Sequence, residues 1–191
     1  MKMYLTIIGV CMLIVASTVA FACQTSYLII WGLTVFAVAL VILVDALVAT
    51  IARLLPKKCA NHEYKAYAVS AKERKFYEKL KIRKWKDKVP EIGHFTGFRK
   101  NKVAEPKNVE YLERFLLEIC YGEIGHFFGL FFGFAILLLY PIHSAWLAIS
   151  IPVAIINALL NIPLLFVLRY NFSKLKNLRK FHLMKRQNQV A

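Results

Sequence analysis

Acidic residues are scarce in this chain: 11 Asp and Glu against 26 Lys and Arg leave a formal net charge of +15 over 191 residues. The four cysteines, Cys11, Cys23, Cys59 and Cys120, show no CxxC or other paired spacing. That removes the sequence basis for a disulfide framework or a zinc knuckle, and they read as membrane or core thiols. There is no GxSxG, no P-loop, no GxGxxG and no HEXXH, so serine-hydrolase, phosphate-loop, dinucleotide and zincin chemistry have no signature here. The HxxxxD motif of soluble glycerolipid acyltransferases is missing too.

What is present is grease, at 59% of residues, together with that large positive charge. The two coexist when they occupy separate stretches, the pattern of a polytopic membrane protein with one basic face. Excess Lys and Arg also suits nucleic acid, but a nucleic-acid-binding domain of this size would not carry four apolar spans as well. The expected acidic partners are anionic lipid headgroups or a phosphorylated substrate such as a coenzyme A thioester.

Met3 to Ala22 has no charge and follows Lys2, as a first transmembrane helix would. Ala20-Phe21-Ala22 also satisfies the small-x-small rule of a cleaved signal, and the retained helix is the reading we favour. Tyr27 to Leu55 is a second span, interrupted by Asp45 and Arg53; a carboxylate is expensive inside a membrane and therefore a functional suspect, the alternative being that Asp45 lies at the interface paired with a Lys or Arg. Pro106 to Tyr140 reads as one long helix, with Asn108 as its cap and Val109, Leu112, Leu116, Ile119 and Cys120 as its apolar stripe. Its purely apolar portion, Phe127 to Tyr140, is too short to span alone and must draw in residues around Glu123 and His126. Ala145 to Leu168 is the fourth span; Asn157 and Asn161 lie one turn apart, Pro163 suggests a kink, and Arg169-Tyr170-Asn171 marks its end.

Residues 53–114 hold 18 of the Lys and Arg, and the tail from Arg169 holds seven more without an acid. The links Cys23 to Ser26 and Pro141 to Ala145 have none. The positive-inside rule then puts both termini and the middle segment in the cytoplasm. The expected fold is all-α: an integral protein of the cell membrane with four transmembrane helices and a basic cytoplasmic segment between the second and third. Its parts are helices one and two in 1–55, the basic segment with a surface helix in 56–107, helices three and four in 108–168, and a basic tail in 169–191. Within the basic segment, Ser70 to Lys86 predicts a helix with a Ser70/Glu73 capping box and an apolar stripe of Phe76, Tyr77, Leu80 and Trp85. Pro90, Gly93 and Gly97 then break the chain into a loop holding His94, Arg99 and Lys100.

Glu123 and His126, three apart, share a helix face. A histidine oriented by a carboxylate is what a general base needs when a hydroxyl attacks an acyl carbonyl. Glu-x-x-His is also a metal-ligand spacing, but bundle sites use it twice and only one copy exists here, so no metal is expected. The bland alternative is a structural polar pair at the membrane interface.

The order Phe76-Tyr77, Arg83-Lys84-Trp85-Lys86-Asp87-Lys88, Gly93-His94, Glu123-x-x-His126, Asn161-x-Pro163 and Arg169-Tyr170-Asn171 resembles the small membrane glycosyl-4,4'-diaponeurosporenoate acyltransferases over Leu55 to Leu175. The resemblance implies transfer of a fatty acyl group onto the sugar of a glycosylated carotenoid acid, the last step of staphyloxanthin-type synthesis. It assigns no catalytic residues, so the roles rest on the residues themselves.

His126 is the expected base, oriented by Glu123, with His94 as the other candidate. Arg83, Lys84, Arg99 and Lys100, with Trp85 among them, would hold the donor's phosphates. Asn161 or Arg169 would polarise the thioester oxygen, and Asp45 joins the substrate-binding candidates. The expected partners are membrane lipid, a lipid-linked acceptor and an acyl thioester donor, with no nucleic acid and no cofactor beyond that co-substrate. Two rivals are a non-catalytic lipid-binding or scaffold protein, and a metal-dependent lipid-modifying enzyme using His94, Glu123 and His126.

Overall fold

A computed structural model describes residues 2–89 and 103–190. Among them there is no strand. The helices are α1 (Lys2–Cys23), α2 (Tyr27–Leu54), α3 (Ala71–Lys79), α4 (Ile82–Trp85), α5 (Val109–Phe132) and α6 (Trp146–Val190), with 3-10 turns between them. Four stretches are long and apolar enough to cross a membrane: Leu5–Cys23, Tyr27–Leu54, Val109–Ile142 and Trp146–Asn188. This is the four-span pattern that the hydropathy predicts, and it is consistent with a membrane protein.

The chain forms two compact units, Met1–Ile51 with Gly125–Ile162, and Ala52–Ile124 with Pro163–Ala191. The first is built from α1, α2 and the apolar parts of α5 and α6. Ala16, Ala37 and Ala154 are wholly buried there beside Ile30, Trp146 and Ile149. Small side chains let helix backbones approach closely, which matters where lipid leaves van der Waals packing as the main attraction. The Trp146 indole donates to the carbonyl of Ile136 at 2.9 Å.

The second unit buries the stripe predicted on α5: Leu112, Leu116 and Cys120 are fully buried and Val109 and Ile119 nearly so. Ala60, Tyr67, Phe172 and Leu175 pack into the same cluster. Asn108 caps α5 as expected, its side-chain oxygen accepting from Glu110 N at 3.0 Å and Tyr111 N at 3.2 Å.

Three expectations change. The single surface helix over Ser70–Lys86 is broken. Ser70 does cap α3, accepting from Glu73 N at 3.1 Å, but Lys81 turns left-handed at φ 52° and α4 restarts at Ile82. The break takes Ile82 out of solvent altogether and aims the Trp85 indole at the Leu80 carbonyl, 3.0 Å away.

The long third helix is α-helical only to Phe132. Gly133–Ile142 continues as 3-10, with Leu139 off helical geometry just before Pro141. At about 2 Å of rise per residue, those ten residues cover roughly 20 Å, more than an α-helix of the same length would.

The fourth helix does not end at Arg169; α6 runs on to Val190 and stays α-helical through Pro163. The reason is visible in the tail. Phe172, Leu175 and Leu178 keep a three-residue apolar beat, and Phe172 and Leu175 are buried in the second unit's cluster with Leu178 packed against it.

Candidate active site

In the first unit, helical spacing gathers four polar side chains from three helices: Asp45 on α2, His126 on α5, Asn157 and Asn161 on α6. Glycines make room for them. A Cβ on Gly129 would lie 3.0 Å from Asp45 Oδ1, and one on Gly133 would lie 2.6 Å from Asn157 Nδ2. With Gly125, whose nearest neighbour is the Ala49 backbone, these form a glycine-every-fourth-residue repeat along one face of the α5 stretch. That repeat is legible in the sequence as a close-packing signal.

Asn161, only 4% exposed, joins the cluster together. Its Nδ2 donates to Asp45 Oδ2 at 3.2 Å and to the Asn157 carbonyl at 3.1 Å. Its Oδ1 accepts from His126 Nδ1 at 2.8 Å. Asn157 Nδ2 donates to Asp45 Oδ1 at 3.3 Å. With its amide hydrogens on a carboxylate and a carbonyl, Asn161 can offer His126 only an acceptor. The neutral imidazole therefore carries its proton on Nδ1, and Nε2 bears the basic lone pair.

The partner that orients His126 is thus Asn161, backed by Asp45, where the spacing had suggested Glu123. Asp45 is held by two amides, and no Lys or Arg pairs with it among the described residues.

Glu123 belongs to a separate cluster in the second unit. It is 6% exposed, and its Oε2 accepts from Arg169 Nη1 at 2.9 Å. Arg169 also bonds both oxygens of Glu73 and the carbonyls of Ala66 and Ala68. All five guanidinium hydrogens are used. Arg169 therefore clamps the 66–73 segment to its own helix, and polarising a substrate oxygen is not available to it in this arrangement.

Burial alone would raise the Glu73 carboxyl. Hydrogen bonds from Arg169 and Tyr77, the Arg169 charge and the Ser70 backbone outweigh it and hold the group below its usual value. Burial, then the Glu73 hydrogen bond and charge, push the Tyr77 phenol well up. Tyr67, whose hydroxyl donates to the Cys59 carbonyl at 2.9 Å, is pushed up to about 12 chiefly by burial.

The sequence reading passed over His62. Its Nε2 meets Glu113 at 2.6 Å and its Nδ1 lies 3.2 Å from Glu63. Arg179 pairs with both carboxylates and Lys176 with Glu63, so this cluster fastens the α6 extension to the 57–67 segment.

Arg83 and Lys84 are exposed on α4, with Trp85 half-buried beside them. His94, Arg99 and Lys100 lie in 90–102, outside the described residues. Among the described residues, no three His, Cys, Asp or Glu side chains converge as a metal site.

The family model for glycosyl-4,4'-diaponeurosporenoate acyltransferases matches residues 60–180, well over half of the 191. The chain belongs to this family. No curated protein and no solved structure matches it. Membership makes acyl transfer in carotenoid biosynthesis the activity at family level. The matched stretch contains His126, Asn157 and Asn161 but not Asp45, so the polar cradle is completed by a residue from outside it.

Proposed function

We propose that this protein is a membrane acyltransferase that esterifies a hydroxyl of a lipid-linked sugar, a glycosylated carotenoid by family, using a fatty acyl thioester. The observation that carries the reading is the Asp45–Asn161–His126 relay. An ionisable cluster within spans this apolar is a functional site by default, and this one presents an imidazole with a defined tautomer.

In this scheme His126 Nε2 takes the proton from the acceptor hydroxyl as its oxygen attacks the thioester carbonyl. A C–O bond forms, the C–S bond breaks, and the proton passes to the departing thiolate. The positive charge that develops on the imidazole is stabilised through the Asn161 amide by Asp45. Arg83 and Lys84, with Arg99 and Lys100, are the groups for the donor's phosphates. Termini and basic segment face the cytoplasm, where a water-soluble thioester is found.

The test is turnover by His126→Ala in reconstituted membranes given acyl-coenzyme A and the glycosylated acceptor. Loss of about two to four orders of magnitude is expected. If His126→Ala and His94→Ala both turn over within a few-fold of wild type, the mechanism is wrong.

A further inference from the structure

The first unit contains an open cleft between α1, α2 and α6, with about 430 Å³ of empty space when open solvent is included. Cys11 and Met12 line it from α1, Val38 and Val41 from α2, and Val153 and Asn157 from α6. Asn157 is the one lining residue with an amide, and that amide also donates to Asp45. The apolar slot and the polar cradle therefore share a wall.

Helical register relates the slot to the cradle. Val38, Val41 and Asp45 follow one another at three- and four-residue steps on one face of α2; Val153, Asn157 and Asn161 do so at four-residue steps on α6. At 1.5 Å per residue, the wall from Val38 to Asp45 is about 10 Å long. The cleft itself is lined by hydrocarbon except at Asn157, and it is through Asn157 that it adjoins the hydrogen-bonded cluster that includes Asp45.

We propose that this cleft holds the linear acyl chain of the thioester donor, with the carbonyl end at Asn157 and the tail running back along Val41 and Val38. The assignment rests on the acyl-transfer reading above and deepens it. An apolar slot two helical turns long suits part of a flexible unbranched chain, and Met12 supplies an adaptable wall. A hexadecanoyl chain is longer than the slot, but it can bend out of the open cleft, whereas a rigid polyene acceptor cannot. The α1 and α2 walls precede residue 60, so the slot is largely built by the part of the chain outside the family match.

The full-length protein in membranes would be given a competing mixture of decanoyl and hexadecanoyl thioesters. Val41→Phe and Val153→Phe, each of which shortens the slot, are expected to move the product ratio at least tenfold toward decanoyl, since single methylenes in an apolar pocket are worth factors of that size. Active variants with an unchanged ratio would show that the cleft holds only bilayer lipid and would overturn the proposal.

Should both variants fail to fold, the wild-type protein gives the answer. A donor with a diazirine at its chain end is expected to label 8–15 or 38–42, and unlabelled donor is expected to compete. Label confined to the exposed Phe127–Phe132 face would overturn the assignment. Survival of turnover in His126→Ala would remove the base assignment alone, because the labelling reads the chain's position independently.

Discussion

Asn161 performs two tasks with one amide, accepting from His126 and donating to Asp45. Asn161→Leu removes both at similar volume. We expect kcat to fall about a hundredfold, as for a base displaced by an ångström or so, with KM for the donor nearly unchanged. Steady-state kinetics separate the two. The glycines give a second expectation. Gly133→Ala presses a Cβ to 2.6 Å from Asn157 Nδ2, whereas Gly32→Ala meets nothing within 4 Å. The first should cost about 1–3 kcal/mol and part of the activity, while the second should be neutral. Thermal unfolding in detergent compares them. The histidine and both asparagines were visible from the sequence as unusual residues in apolar helices. Which partner His126 takes was not, because spacing of three puts Glu123 on its face without saying that a guanidinium will claim that carboxylate.

At the level of elements, α6 shows where pattern reading stops and why. Its apolar half is a long hydrophobic run that any hydropathy scan finds. Its polar half reads as a basic tail until Phe172, Leu175 and Leu178 are set against the α5 stripe that buries them, a tertiary fact. The ion pairs of the same half carry a pH dependence. Glu73 and Glu63 are both held below their usual value of 4.5; for Glu63 the largest cause is the Lys176 hydrogen bond. A depressed carboxyl stabilises the fold above its unfolded value and loses that contribution as pH falls through the folded one. Tyr67 and Tyr77, pushed up from 10.0, act in the opposite sense: their contribution is intact below 10 and declines above it. The second unit should therefore loosen below about pH 4.5 and again above about pH 10. Protease sensitivity of the 57–79 segment, followed against pH, checks both edges.

For the molecule as a whole, segregation of charge and grease made the all-helical, four-span reading possible from composition and hydropathy alone. The same segregation underlies an expectation about topology that native thiols can test. Cys23 and Cys59 are exposed at opposite ends of α2, while Cys120 is buried. With the basic segment facing the cytoplasm, an impermeant maleimide should label Cys59 from the cytoplasmic face and Cys23 from the other face, leaving Cys120 slow. Labelling of the two in the reverse order would invert the orientation.

Asp45 is cradled by amides instead of being neutralised by a cation, and that choice bears on which guests the site admits. When ionised, it sets an unbalanced negative field in a poorly screened setting. On the acyl-transfer reading proposed above, such a field admits a neutral thioester carbonyl and repels a free fatty acid anion. The hydrolysed donor, which keeps the whole hydrocarbon tail, is on that reading a poor occupant of the site.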